Sequence, residues 1–157
     1  MKPTSSLALM VILAFTCSLA HADLPLSGPD SWIEVQLRGH SADHVLSRMT
    51  AVADANGMSC SHDGTGRPIC GFEPGGYFAI QPAVGPKVVS FYFYYRSNES
   101  SEIDPTRKHT IDLVVLQFVD SLKDSRQVRK VVLCDVPSGR IGVLCSGKLL
   151  LDRNAKS

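Results

Sequence analysis

The densest collection of reactive groups in the chain is Cys60-Ser61-His62-Asp63-Gly64-Thr65-Gly66-Arg67, which brings a thiol, an imidazole, a carboxylate and a guanidinium into one short stretch. Three chemistries are open to such residues. A histidine beside an aspartate can serve a hydrolase as an oriented general base, a cysteine and a nearby histidine can share a metal, and closely spaced glycines can cradle a phosphate. The surrounding sequence withholds the context for two of them. Structural zinc sites usually present their ligands as two close pairs, whereas Cys60 and Cys70, like Cys134 and Cys145, are far apart, so no metal is expected. Gly64-Thr65-Gly66 is followed by no lysine and no strand-to-helix step, which argues for a turn, and no cofactor is expected. Within that turn, Asp63 is expected to bond the nearby backbone in an Asx-type arrangement instead of orienting His62.

The other histidines are more dispersed. His40 and His44 are four apart, but His40 precedes the expected helix cap Ser41, so the pair is not expected to share a helical metal-binding face. His109 is expected to open a second helix near Asp112 and to be solvated. Lys123, Arg126, Arg129 and Lys130 form the densest basic cluster, diluted by Asp120 and Asp124, and read as a solvated helix end.

Residues 1–22 have the pattern of a cleavable export signal: Lys2 at the start, an apolar run over residues 7–19, and the small-x-small site Ala20-His21-Ala22 before Asp23. A lipid anchor on Cys17 is disfavoured because bulky Phe15 and branched Thr16 stand where small residues are needed. Lys2 is the only charged residue of that leader, so residues 23–157 are formally neutral with histidine neutral. That balance argues against a chain-wide binder of nucleic acid or anionic membrane, which normally carries a basic excess. No later segment approaches the apolar length of a membrane span, so none is expected.

Cleavage at this site leaves four cysteines in an oxidising compartment, periplasmic or secreted, where two disulfides are expected. Cys60 and Cys70 flank Gly64-Thr65-Gly66 symmetrically, and Cys134 and Cys145 flank Pro137-Ser138-Gly139-Arg140 with an offset that a bulge could absorb. The expected pairing is therefore Cys60–Cys70 and Cys134–Cys145, each stapling its own hairpin.

These groups must be positioned by a small set of elements. Residues 23–30 are an irregular lead-in, and residues 31–157 form one domain. Trp32, Ile33, Val35 and Leu37 with Glu34 and Gln36 give the alternation of a half-buried strand. Val45, Leu46, Met49, Val52 and Ala53 are spaced as a helix capped by Ser41 and stopped by Gly57. Hairpins follow, with a turn at Pro74-Gly75-Gly76 and a strand near residues 77–81. Residues 88–95 carry the strongest strand signal and are expected to lie centrally, with aromatics on both faces because a helix covers one of them. Ile111, Val114, Val115, Phe118, Val119 and Leu122 make a second helix, which Leu113 and Leu116 widen until most of it is expected to be buried. The tail returns to strands over residues 131–136, 141–145 and 148–151. The expected class is α+β, a mainly antiparallel sheet with two helices in the order β-α-β-β-β-α-β-β.

The composition points to an exported, disulfide-stabilised binding protein of the inhibitor or immunity type, acting on another protein. The loop around His62, Asp63, Thr65 and Arg67 is the expected contact, with the Gly75-Gly76 turn and residues 96–104 as further exposed elements. A small exported hydrolase using His62 or His44 with Asp63 or Asp43 is the alternative, and a structural subunit of an envelope assembly is a third reading. Asn98-Glu99-Ser100 is an N-glycosylation sequon that matters only in a eukaryotic secretory pathway.

Overall fold

A computed structural model describes residues 28–73, 78–96, 102–135 and 147–153. The expected leader, most of the lead-in, the turns at 74–76 and 137–140, the strand at 141–145 with Cys145, and the Asn98 sequon lie outside the described residues. The elements are β1 (Ser31–Leu37), α1 (Asp43–Ala55), β2 (Ser59–His62), β3 (Pro68–Gly71), β4 (Phe78–Val84), β5 (Val88–Phe93), α2 (Pro105–Ser121), β6 (Val128–Asp135) and β7 (Lys148–Asp152). The seven strands among the described residues form one antiparallel sheet in the order β2-β3-β4-β5-β1-β6-β7, so the class is α+β. Among the described residues, four strands stand between the helices where three were expected, because both short arms of the Gly64–Gly66 hairpin pair as strands.

Alternation along β1 decides which face of the sheet is covered. Ser31, Ile33, Val35 and Leu37 are buried, while Trp32, Glu34 and Gln36 are only half-buried. Cross-strand register carries the same division into β5, where Ile33 pairs with Phe91 and Val35 with Val89 on the covered side. α2 lies on that side, with the Phe118 ring edge-on to Phe91 at 5.2 Å. α1 packs beside α2, and both helices feed one core cluster. The position of β5 inside the sheet and its covered aromatic face meet the sequence-based expectation. Pro82 is tolerated in β4 because pairing with β3 ends at Ile80, so no ladder bond is lost on that side.

The helix ends show where short-range signals act. α1 closes in a Schellman arrangement: Met58 N–H donates to Ala53 carbonyl, Gly57 N–H donates to Asp54 carbonyl, and Gly57 takes a φ of 78°. Its start departs from expectation. Ala42, not Ser41, is the N-cap, and the Ser41 hydroxyl turns to the Asp43 carboxylate instead. α2 begins at Pro105, ahead of His109, because the Asp104 carboxylate accepts from the backbone N–H groups of Thr106 and Arg107 while Pro105 fits the first turn.

A second correction concerns the breadth of the buried face of α2. Leu113 is 38% exposed and Leu116 is 67% exposed, so the two residues that widen the apolar stripe face outward. The core needs only Ile111, Val114, Val115, Phe118 and Val119 from this helix. Among the described residues, α2 and the β6–β7 side of the sheet border a groove, lined from the helix by Asp112, Val115, Leu116 and Val119 and from the strands by Leu133 and Leu150.

Candidate binding site at the hairpin and first helix

β2 and β3 pair in register with Cys60 opposite Cys70 and His62 opposite Pro68, and the disulfide Cys60–Cys70 joins Cα atoms 4.1 Å apart. Cys70 is buried, which anchors the hairpin base in the core, while His62, Gly64, Thr65 and Gly66 are exposed at its tip. The expected bridge Cys134–Cys145 is not placed among the described residues. Cys134 is disulfide-bonded and buried, but the cysteine it joins lies outside them, so only one of the two expected hairpin staples is described.

The tip is ordered by its own chemistry. Asp63 Oδ1 accepts from Thr65 N–H at 2.8 Å, from Thr65 Oγ1 at 2.6 Å and from Arg67 N–H at 2.9 Å. Asp63 N–H donates to Arg67 carbonyl and Gly66 N–H to Asp63 carbonyl, with Gly66 at a φ of 78° that only glycine adopts readily. Three donors converging on one oxygen make the turn depend on the charged carboxylate.

These bonds hold the Asp63 carboxyl below its ordinary value of 3.8, chiefly through the Thr65 hydroxyl and then the Arg67 amide. A folded-state value lowered in this way supports the hairpin above the unfolded-state pKa and is lost as pH falls through the lowered value. The tip is therefore expected to stay ordered at neutral and mildly acidic pH and to loosen only in stronger acid. A carboxyl titration of Asp63 followed by NMR is expected to have its midpoint below 3.8; a midpoint above it contradicts the triple acceptor role.

Beside the tip, α1 and the hairpin enclose a shallow groove of about 390 Å³, lined by Asp43, Ser47, Thr50 and Asp54 from the helix and by His62 and Pro68 from the strands. Of the expected contact residues, His62 alone lines this groove, while Asp63, Thr65 and Arg67 form the turn beyond it; the helix face that His62 meets is not revealed by short-range patterning. Asp54 carries one signal that is legible in sequence. It stands in the last turn of α1 without a basic neighbour in that turn, where the negative end of the helix dipole disfavours a carboxylate. Asp54→Asn is expected to raise stability by about 0.3–1 kcal/mol at low salt, measured by chemical denaturation.

The acid–base arrangement required for a hydrolase is not assembled among the described residues. His62 shares the groove with Asp43 and Asp54, but no hydrogen bond links it to either, and the oxygen of Asp63 that accepts is committed to the turn. His40 Nδ1 lies 3.2 Å from the Pro86 carbonyl at another part of the molecule, and His109 is exposed on α2. The described histidines, cysteines and carboxylates form no cluster suited to a metal ion.

Two further surfaces lie apart from this site, the first of them the open aromatic face expected for residues 88–95. On the side of the sheet away from the helices, Trp32 lies 6.4 Å from Tyr92 and Phe78 meets Tyr94 edge-on at 5.2 Å, with Trp32 Nε1 donating to Glu34 at 3.3 Å. The second is the groove between α2 and the β6–β7 side. No helix among the described residues is long and apolar enough to cross a membrane. Set against known proteins, the chain matches no protein family profile, no curated sequence and no solved structure.

Proposed function

We propose that the chain is an exported, disulfide-stabilised binding protein that engages another protein through the hairpin tip and the adjoining face of α1. The observation that carries this reading is the order built into a solvent-exposed turn. Asp63 commits three acceptor bonds and Cys60–Cys70 a covalent link to a tip whose residues His62, Gly64, Thr65 and Gly66 contribute little to the core. A loop fixed before contact loses less conformational entropy on binding, which is how rigid inhibitors gain affinity. The groove beside it offers the carboxylates of Asp43 and Asp54, so the complementary partner presents a basic side chain there.

Export rests on the leader pattern of residues 1–22, and the disulfide is compatible with it. Cleavage before Asp23, and pairing of Cys134 with Cys145, complete the proposed mature form. Mass analysis of the exported protein tests both: peptides linking Cys134 to Cys145 and an N-terminus at Asp23 are expected, and free thiols or an intact leader contradict them.

The binding role is tested by comparing oxidised mature protein with Asp54→Arg and His62→Arg variants in affinity capture from the native extract. A protein retained by the parent and lost from both variants is expected, with each variant at least as thermally stable as the parent. Retention of the same proteins by all three contradicts the assigned surface.

A further inference from the structure

β2 is an outermost strand of the sheet among the described residues, and its outer side pairs with no described strand. The ladder to β3 fixes which of its backbone groups face outward. Asp63 N–H donates to Arg67 carbonyl, which makes these two a hydrogen-bonded pair. Alternation along an antiparallel ladder then makes Ser61/Ile69 and Ser59/Gly71 the next such pairs. Cys60/Cys70 and His62/Pro68 are the intervening pairs, in which each residue turns its N–H and carbonyl away from the partner strand. Two observations agree with this parity: Pro68 has no N–H to give, and the Cα atoms of Cys60 and Cys70 are only 4.1 Å apart. Cys60 and His62 therefore each present an N–H donor and a carbonyl acceptor along the outer edge.

Exposed edges are usually blunted by charge, proline or a bulge. β7, at the opposite edge, has Lys148 and Asp152 at its ends and a register shift against β6. β2, Ser59-Cys60-Ser61-His62, has no lysine, arginine, proline or bulge, and only its shortness limits what can be added. The side chains of Cys60 and His62 share the face on which α1 lies. Cys60 Sγ is 4.0 Å from the Thr50 carbonyl, and His62 lines the groove with Asp43 and Asp54. No lysine or arginine lines that groove among the described residues. An added strand therefore directs every second side chain toward the carboxylates of α1.

We infer that the β2 edge takes a short extended segment of the partner by antiparallel strand addition, with lysine or arginine at the alternate positions that face α1. Strand addition here rests on the binding role proposed above and gives the form its partner takes. Main-chain hydrogen bonds supply the contact, and the alternate basic side chains select the ligand. Antiparallel addition continues the pattern of the described sheet. In this register the residues opposite Cys60 and His62 carry both the basic side chains and the nitrogens that bond to β2.

End-blocked peptides of alternating lysine and valine, titrated into the oxidised mature protein and followed by NMR, test the edge. The parent peptide is expected to shift the Cys60 and His62 amides and to slow their exchange, while Ser61, whose N–H faces Ile69, changes less. Methylating the lysine backbone nitrogens removes the donors to the Cys60 and His62 carbonyls and is expected to weaken binding about tenfold. Methylating the valine nitrogens, which face away, is expected to preserve binding, and a glutamate–valine peptide is expected not to bind. His62→Pro removes an outward N–H and no ladder bond, so it is expected to weaken the parent peptide without lowering the melting temperature, whereas His62→Val keeps the edge intact. Unchanged Cys60 and His62 amides at millimolar lysine–valine peptide overturn the inference, as does equal weakening by the two methylation patterns. A protein captured through Asp54 and His62, with these peptides leaving the edge untouched, overturns strand addition and leaves the binding role standing. Peptide pairing without any captured protein supports the edge and contradicts the binding role.

Discussion

Phe118→Ala is expected to destabilise the domain by about 3–5 kcal/mol, the cost of a large cavity where the aromatic ring is removed. Phe118 is fully buried, and its ring meets Phe91 of β5 edge-on with centroids 5.2 Å apart and planes at 72°. This one contact ties the second helix to a central strand of the sheet. Loss of an edge-to-face pair adds about 0.5–1.5 kcal/mol beyond the buried area, already reflected in the upper part of that range. Domains of this size have a total stability of about 5–15 kcal/mol, so the variant is expected to sit close to its folding threshold at room temperature. Urea unfolding followed by tryptophan fluorescence reads the effect, since Trp32 lies on β1 beside β5. Leu116→Ala is the matched control: at 67% exposure it is expected to change stability by no more than about 0.5 kcal/mol. Equal effects at the two positions contradict the packing of α2.

Replacing both Cys60 and Cys70 by Ala is expected to cost about 2–3 kcal/mol, the loop-closure contribution of a bridge spanning a sequence separation of 10. Cys70 is buried while Cys60 is partly exposed, so alanine avoids placing a hydroxyl in the core. The functional consequence is expected to exceed the thermodynamic one. Without the bridge, Ser59–His62 and Pro68–Gly71 are two strands of four residues each, held by β4 on one side only. Short edge hairpins of this kind are marginal by themselves, so the Asp63-centred turn would sit on a fraying base. Amide exchange at Thr65 and Arg67 is expected to accelerate well beyond the global change in stability. Unchanged exchange there, together with lost stability, would show that Asp63 alone orders the tip.

How much of this is legible in the sequence follows from the range over which each determinant acts. The alternation of Ile33, Val35 and Leu37, the i, i+4 spacing of Val45, Met49 and Ala53, and the Gly57 stop are short-range patterns, and all three reappear in the structure. The Cys60–Cys70 bridge is legible because the two residues are symmetric about one turn. Asp104-Pro105 is a capping signal as local as these, yet the polar run Ser97-Asn98-Glu99-Ser100-Ser101 before it reads as loop and hides the true start of α2. The exposure of Leu113 and Leu116 has no local signature. Periodicity identifies an apolar stripe, but whether the sheet extends beneath its whole width depends on where β6 and β7 lie.

The candidate site divides in the same way. Asp63 as a turn acceptor is implied by its neighbours, and its three bonds follow. The pairing of the tip with Asp43 and Asp54 of α1 is not implied, because it depends on how the helix packs against β2 and β3. The position of β7 at the far edge is likewise a product of topology, with β1 inserted between β5 and β6.

The binding role of the hairpin tip is tested most directly by site-specific photocrosslinking of the oxidised mature protein in its native extract. The photoreactive side chain is placed at His62, which is exposed beside Asp54 and takes no part in the Asp63-centred bonds, and, as a control, at Leu113 on the exposed side of α2. One discrete heterologous adduct is expected from His62, absent from Leu113 and abolished when Asp54→Arg is added to the His62 probe. No adduct from His62, or the same adducts from both positions, would contradict a binding role for the hairpin tip.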